Sequence, residues 1–158
     1  MGDPPADYDD RYLAGVSLFN AGEYFDAHEV WEDLWLDCPA ADRRFYQSLI
    51  QAAVALYHWA RGNRPGAARL FDSGRRYMEP YRPRHRGLEV DPFWRAVGAA
   101  LGGALADDAG RAPGVNPGVI RSDPEHPRVH PRGSPEPPRI VLVPPPARWP
   151  DPREVRHD

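Results

Sequence analysis

The sequence predicts an all-α fold, a compact bundle of about five helices built from two helical hairpins, with an extended Pro-rich C-terminal tail. Three observations predict it. Apolar residues recur in steps of three and four up to about residue 106. Two similar helix–Gly–helix turns, NAGEYFDA at Gly22 and ARGNRPGA at Gly62, lie forty residues apart. Beyond Arg111 the periodicity lapses and Pro becomes frequent. A chain of 158 residues holds one ordinary domain. The bundle is placed at 7–106 and the tail at 107–158.

Helix 1 is predicted from about Tyr8 to Ala21, with Tyr12, Val16 and Phe19 on its apolar face and Gly22 ending it. Helix 2 follows from about Glu23 to Asp37. Its seam is Tyr24, Ala27, His28, Trp31 and Leu34 or Trp35, and Pro39 stops it. Helix 3 starts near Ala41 or Asp42 and ends by Gly62. It is apolar nearly all round, as a central helix should be. Its polar exceptions Gln47, Gln51 and His58 fall on one stripe, continued by Arg44 and Arg61, with Ser48 off it. Helix 4 opens near Pro65, a residue tolerated in a first turn. Its inner face is Ala67, Leu70, Phe71, Gly74, Tyr77 and Met78. After the basic turn YRPRHRG, Asp91-Pro92 reads as an N-cap with Pro at the first helical position. Helix 5 then carries Phe93, Trp94, Val97, Leu101 and Leu105 inward. In the tail, the RIVLV run at 139–143 is expected as an isolated strand or an extended segment laid on a groove.

Net charge is only −3, but it is unevenly spread. Residues 1–42 hold eleven acidic side chains against Arg11 alone, and residues 43–95 hold eleven Arg against four acids. The two halves should attract one another, within one chain or across a homodimer, or the second half should hold an anion. One Cys, Cys38, excludes an intrachain disulfide, and its apolar setting suggests a small core residue. The acidic N-terminus has no signal pattern, and no apolar run reaches membrane-spanning length. A soluble, cytoplasmic protein without membrane contact is expected.

FNAGEYFDAHEVWEDLW resembles the hallmark of the bacterial and archaeal family catalogued as domain of unknown function 309. The match runs through Phe19, Asn20, Gly22, Tyr24, Phe25, Ala27, His28, Glu29, Glu32 and Trp35, with Asp26 where the family usually has Glu. FYQSLIQAAVALYHWARGNRPGA is similar to its second block, through Phe45, Gln47, Leu49, Ile50, Gln51, Ala55, His58, Gly62, Asn63 and Ala67. The resemblance covers roughly residues 10–95 and implies an all-helical fold. It implies no reaction.

The candidate chemistry is a polar pocket between helices 2 and 3, formed by His28, Glu29, Glu32, Gln47, Gln51 and His58. His28 and Glu32 lie one turn apart and share a face. With His58 they could bind a divalent transition metal and activate water, although HEVWE lacks the second His of a zinc-protease helix. A hydrogen-bonded structural network is the stronger reading, because buried polar groups are normally paired. Trp31, Trp35 and Trp59 read as core residues whose N–H groups need acceptors, which Glu32 or Gln51 could supply. Arg75, Arg76, Arg82, Arg84 and Arg86, with nearby tyrosines, form an anion-binding candidate. The sequence pI of about 6.1 argues against nucleic acid as the main partner. Phosphate-loop, dinucleotide-turn and nucleophile-elbow motifs are absent. The expected function is therefore non-catalytic binding or scaffolding, with a small ligand or a protein as partner and no cofactor. The alternatives are a metal-assisted hydrolase at His28, Glu32 and His58, and anion binding by the Arg cluster.

Overall fold

The structure, a computed structural model, describes residues 8–102 and 137–155. The boundary expected at 106/107 and Leu105 lie outside these residues. Helix α1 spans Asp10–Asn20, α2 Tyr24–Asp37, α3 Arg43–Ala60, α4 Arg64–Met78, α5 Val90–Ala100 and the short α6 Pro152–Val155. The described residues are thus all-α apart from one two-stranded hairpin.

Local chemistry sets the helix ends. The Asp9 carboxylate accepts the Arg11 N–H at 2.8 Å and starts α1 two residues later than expected; such a cap contributes about 1 kcal/mol. Asn63 caps α4 in the same way, accepting from the Gly66 N–H at 3.0 Å. The two turns that suggested paired hairpins close identically. Gly22 and Gly62 have φ of 83° and 88°, values that glycine adopts without a Cβ clash. Gly22 N–H bonds Phe19 C=O and Glu23 N–H bonds Leu18 C=O; Gly62 to Trp59 and Asn63 to His58 repeat the pattern. Both are Schellman closures, which satisfy the last helical carbonyls.

Each helix packs on its neighbour in sequence, α1 on α2, α2 on α3 and α3 on α4. Tyr12, Val16 and Phe19 from α1, Trp31 from α2, and Phe45, Leu49 and Leu56 from α3 are completely buried. Gly15 lets α1 and α2 approach, because its missing side chain leaves room for the Trp31 indole. The Trp31 N–H donates to the Tyr12 carbonyl at 3.2 Å, so neither Glu32 nor Gln51 is its acceptor. Cys38 is half-buried against the core rather than inside it. Its thiol meets the Trp35 carbonyl at 3.5 Å, and burial pushes its pKa up.

Two further details differ from expectation, and a third decides between two alternatives. The basic turn contains a hairpin, strands β1 (Arg84–His85) and β2 (Leu88–Glu89), paired antiparallel with Arg84 opposite Glu89 and His85 opposite Leu88. Its central residues Arg86 and Gly87 both have positive φ, 48° and 78°, as a tight two-residue hairpin requires. Secondly, α5 begins at Val90, directly after β2, with no side-chain cap. Asp91 sits inside the first turn and pairs with Arg82 at 2.9 Å, so it is not the cap. Thirdly, of the two forms expected for 139–143, an isolated strand or an extended segment, the run takes the second. It is extended along the bundle, with Ile140 and Leu142 only 3% and 4% exposed and joined to the core.

Candidate functional site

The polar residues expected to face one another between helices 2 and 3 are divided between two surfaces. On α2, His28 Nδ1 bonds the Phe25 carbonyl one turn back, and its Nε2 stands 3.9 Å from the exposed Glu32 carboxylate. Glu29 is half-buried on the same helix. The α3 stripe turns toward α4 instead. Gln51 Oε1 accepts the Ser73 hydroxyl at 2.6 Å, and Arg44 lies over the Tyr77 ring at 4.3 Å. His58 is lowered in pKa by burial and then by the nearby Arg69 and Arg61 cations, Arg69 being on α4. Ser48, off the stripe, is buried and donates to the Gly74 carbonyl at 2.7 Å. Gln47 is half-buried on α3. Between α2 and α3, Phe25 meets Tyr57, ring centroids 5.3 Å apart. Among the described residues no three His, Cys, Asp or Glu side chains are grouped to hold a metal ion, so His28, Glu32 and His58 do not form a ligand set.

The Arg cluster is largely matched to carboxylates within the chain. Arg75 and Arg76 pair with Asp72 at 3.2 and 2.7 Å, Arg82 with Asp91, Arg84 with Glu89 at 2.8 Å, and Arg86 with Asp42 at 2.7 Å. The first four are exposed pairs, each contributing about 0–1 kcal/mol, so they open easily.

Asp42 differs from these. It is 3% exposed, and its two carboxylate oxygens are taken separately, Oδ1 by His85 Nε2 and Oδ2 by Arg86 Nη2, both at 2.7 Å. Burial raises its pKa, but the hydrogen bonds from Arg86 and His85 outweigh that and hold it below the usual carboxylate value. The Tyr12 hydroxyl adds a bond to the Arg86 carbonyl at 2.9 Å. This knot fastens the β1–β2 turn to the start of α3. A polar cleft of about 350 Å³ beside it is lined by Tyr8, Arg11, Asp37, Cys38, Tyr46 and Arg86. Both Asp42 oxygens already accept strong bonds, so the knot reads as structural. In the sequence Asp42 marks only a helix start. The opposed charges of the two halves were the one signal that pointed to it.

A second and larger cleft lies between α4 and α5. A cleft of about 600 Å³ opens there, floored by Phe71, Val90, Trp94 and Gly98 and rimmed by Arg75, Arg82 and Arg95 with Glu79 and Asp91. Phe71 and Trp94 meet edge to face at 5.5 Å, and the Trp94 ring abuts Gly74. Trp94 is 4% exposed, and its indole N–H has no acceptor among the described residues. A buried donor left unpaired costs about 1–3 kcal/mol. Arg95 has no carboxylate partner among them either. In the sequence Phe71 and Trp94 are core positions and Arg75 and Arg82 belong to the basic cluster. No local signal joins them, because the cleft is formed by segments about twenty residues apart.

A bundle of helical hairpins with a half-apolar, Arg-rimmed cleft is the class of protein that this geometry defines. Residues 12–70 match the family described as "Domain of unknown function (DUF309)", and both motif blocks read from the sequence fall inside that stretch. The chain is also similar to "Uncharacterized protein YpuF" of Bacillus subtilis (strain 168), 37% identical over 84 residues, 52% of this chain and 47% of that protein. The chain therefore spans about half the length of this curated relative. No solved structure matches it. No helix among the described residues is long and apolar enough to cross a membrane.

Proposed function

We propose that the chain is a non-catalytic binding domain whose ligand occupies the α4/α5 cleft, a small molecule with an apolar body and one negative group. The observation that carries this reading is the pairing of a buried aromatic floor with a guanidinium rim, Phe71 and Trp94 below Arg75, Arg82 and Arg95. Ligand sites are typically concave and mostly apolar, with a few convergent polar groups. Three guanidinium groups stand against two carboxylates in the lining, a small excess of positive charge suited to one anionic group.

Titration with 1-anilinonaphthalene-8-sulfonate, an apolar aryl sulfonate, tests this. Fluorescence should saturate at one dye per chain. Arg75→Glu with Arg95→Glu should weaken binding by about tenfold or more, the loss of one charge-assisted contact. Gly98→Leu should fill the floor, since a Cβ there already comes within 3.3 Å of the Phe71 ring. A dye signal that does not saturate, or that ignores both changes, would remove the reading.

A further inference from the structure

The chain's own C-terminal segment lies in a groove that reads extended backbone. At the end of α1 the Asn20 side-chain amide grips Ile140 from both sides: Nδ2 donates to the Ile140 carbonyl at 3.0 Å, and Oδ1 accepts the Ile140 N–H at 2.7 Å. The Val143 N–H donates to the Gly87 carbonyl at 2.9 Å, and the Tyr8 hydroxyl donates to the Pro144 carbonyl at 2.6 Å. These contacts reach only main-chain atoms of the segment. Side chains alternate, as in a strand: Ile140 and Leu142 enter the core while Val141 is 66% exposed and Val143 also faces out. The occupant does not fill the groove, because about 300 Å³ remains open between it and Leu88, Pro92 and Phe93.

Backbone pairing with pockets for alternate side chains is how proteins bind extended peptides. We propose that this groove is a peptide-binding site for extended segments of the pattern apolar-x-apolar-x-Pro, occupied in cis by residues 140–144 and able to accept the same kind of segment from another chain. The pattern follows from what the groove holds. Two buried apolar side chains are two residues apart, and the carbonyl taken by Tyr8 belongs to a Pro, which has no N–H to leave unpaired. The cis segment is covalently tethered, so it competes at an effective concentration on the order of millimolar. A peptide in trans gains access when the cis segment is weakened. This proposal is independent of the α4/α5 cleft.

The test uses the full chain carrying Ile140→Asp and Leu142→Asp, checked for native helicity, and a fluorescein-labelled peptide RIVLVPPP, the chain's own residues 139–146. Fluorescence anisotropy should show saturable binding to this variant and binding at least about tenfold weaker to the wild-type chain, whose groove is filled. Adding Asn20→Ala should weaken peptide binding by about tenfold or more, the loss of two backbone hydrogen bonds. If the double Asp variant does not fold, Ile140→Ala takes its place in the same comparison. No binding to a folded variant, equal binding to variant and wild type, or indifference to Asn20→Ala would each overturn the proposal.

Discussion

Gly15→Ala is expected to destabilise the chain by about 3 kcal/mol, the upper part of the usual range for forcing an extra carbon into a packed core. Helix propensity acts the other way, since Ala in a helix interior is favoured over Gly by about 0.5–1 kcal/mol. Packing wins at this position because a Cβ on Gly15 would collide with the Nε1 edge of Trp31. Trp31 is fully buried and cannot swing aside, and its N–H is held by the Tyr12 carbonyl at 3.2 Å. Relieving the clash means parting α1 from α2 or giving up that bond. Urea melts of Gly15→Ala, Trp31→Phe and the double variant check the argument. The double variant should be more stable than the sum of the two single losses, because Phe removes the atoms that collide. A Gly15→Ala chain as stable as wild type would show that the helices do not meet there.

Asp42→Ala is expected to cost about 2–3 kcal/mol, because it removes a buried carboxylate and leaves two hydrogen-bond donors, one of them the Arg86 guanidinium, without their acceptor. For a helical unit of about 100 residues that lowers Tm by roughly 10 °C or more. His85 and Arg86 are part-exposed, at 29% and 41%, so water recovers some of the loss and the figure stays below that for a fully buried pair. Asp42 also carries a pH dependence. Its folded pKa lies below its unfolded value, so its contribution is complete above about pH 4 and is lost as pH falls through the folded pKa. Wild-type stability should therefore drop on acidification below about pH 4, and the Asp42→Ala profile should be flatter there. Thermal melts from pH 7 to pH 3 measure both. Parallel profiles for the two proteins would exclude Asp42 as the acid-sensitive group.

These two positions differ in how far the sequence exposes them. The helices, their order and the Gly22 and Gly62 turns were legible, because periodicity and a left-handed C-terminal residue are local signals carried within one turn of chain. Gly15 was not singled out, since a small residue inside a helix has no meaning until the facing indole is known. The His28, Glu32 and His58 grouping failed for a related reason. Helical spacing fixes which residues share a face, but not which neighbour that face meets, and the Gln51–Ser73 bond and the Arg44–Tyr77 contact commit it to α4. Asn20 belonged to a legible motif, yet its role depends on a partner 120 residues away. The charge asymmetry between the two halves was visible, and Asp42 with His85 and Arg86 gives it one concrete meaning.

The β1–β2 turn has a consequence for the order in which the molecule assembles and opens. Helices α1–α4 meet their neighbours in sequence, contacts of low contact order that form early and locally. The turn is held by partners across gaps of 43, 44 and 74 residues, and the bond of Tyr8 to Pro144 spans 136. Closing such loops is slower, and a unit joined by few contacts opens before the whole. The hairpin should therefore be the last part to form and the first to open. Hydrogen exchange would show it as faster exchange at Val90 and Val143, whose amides bond Pro83 and Gly87, than in the middle of α2 and α3. Equal protection would mean one cooperative unit. Because Val143 is anchored to Gly87, each opening of the turn also loosens the C-terminal segment, and access to its groove would then follow a local fluctuation rather than global unfolding.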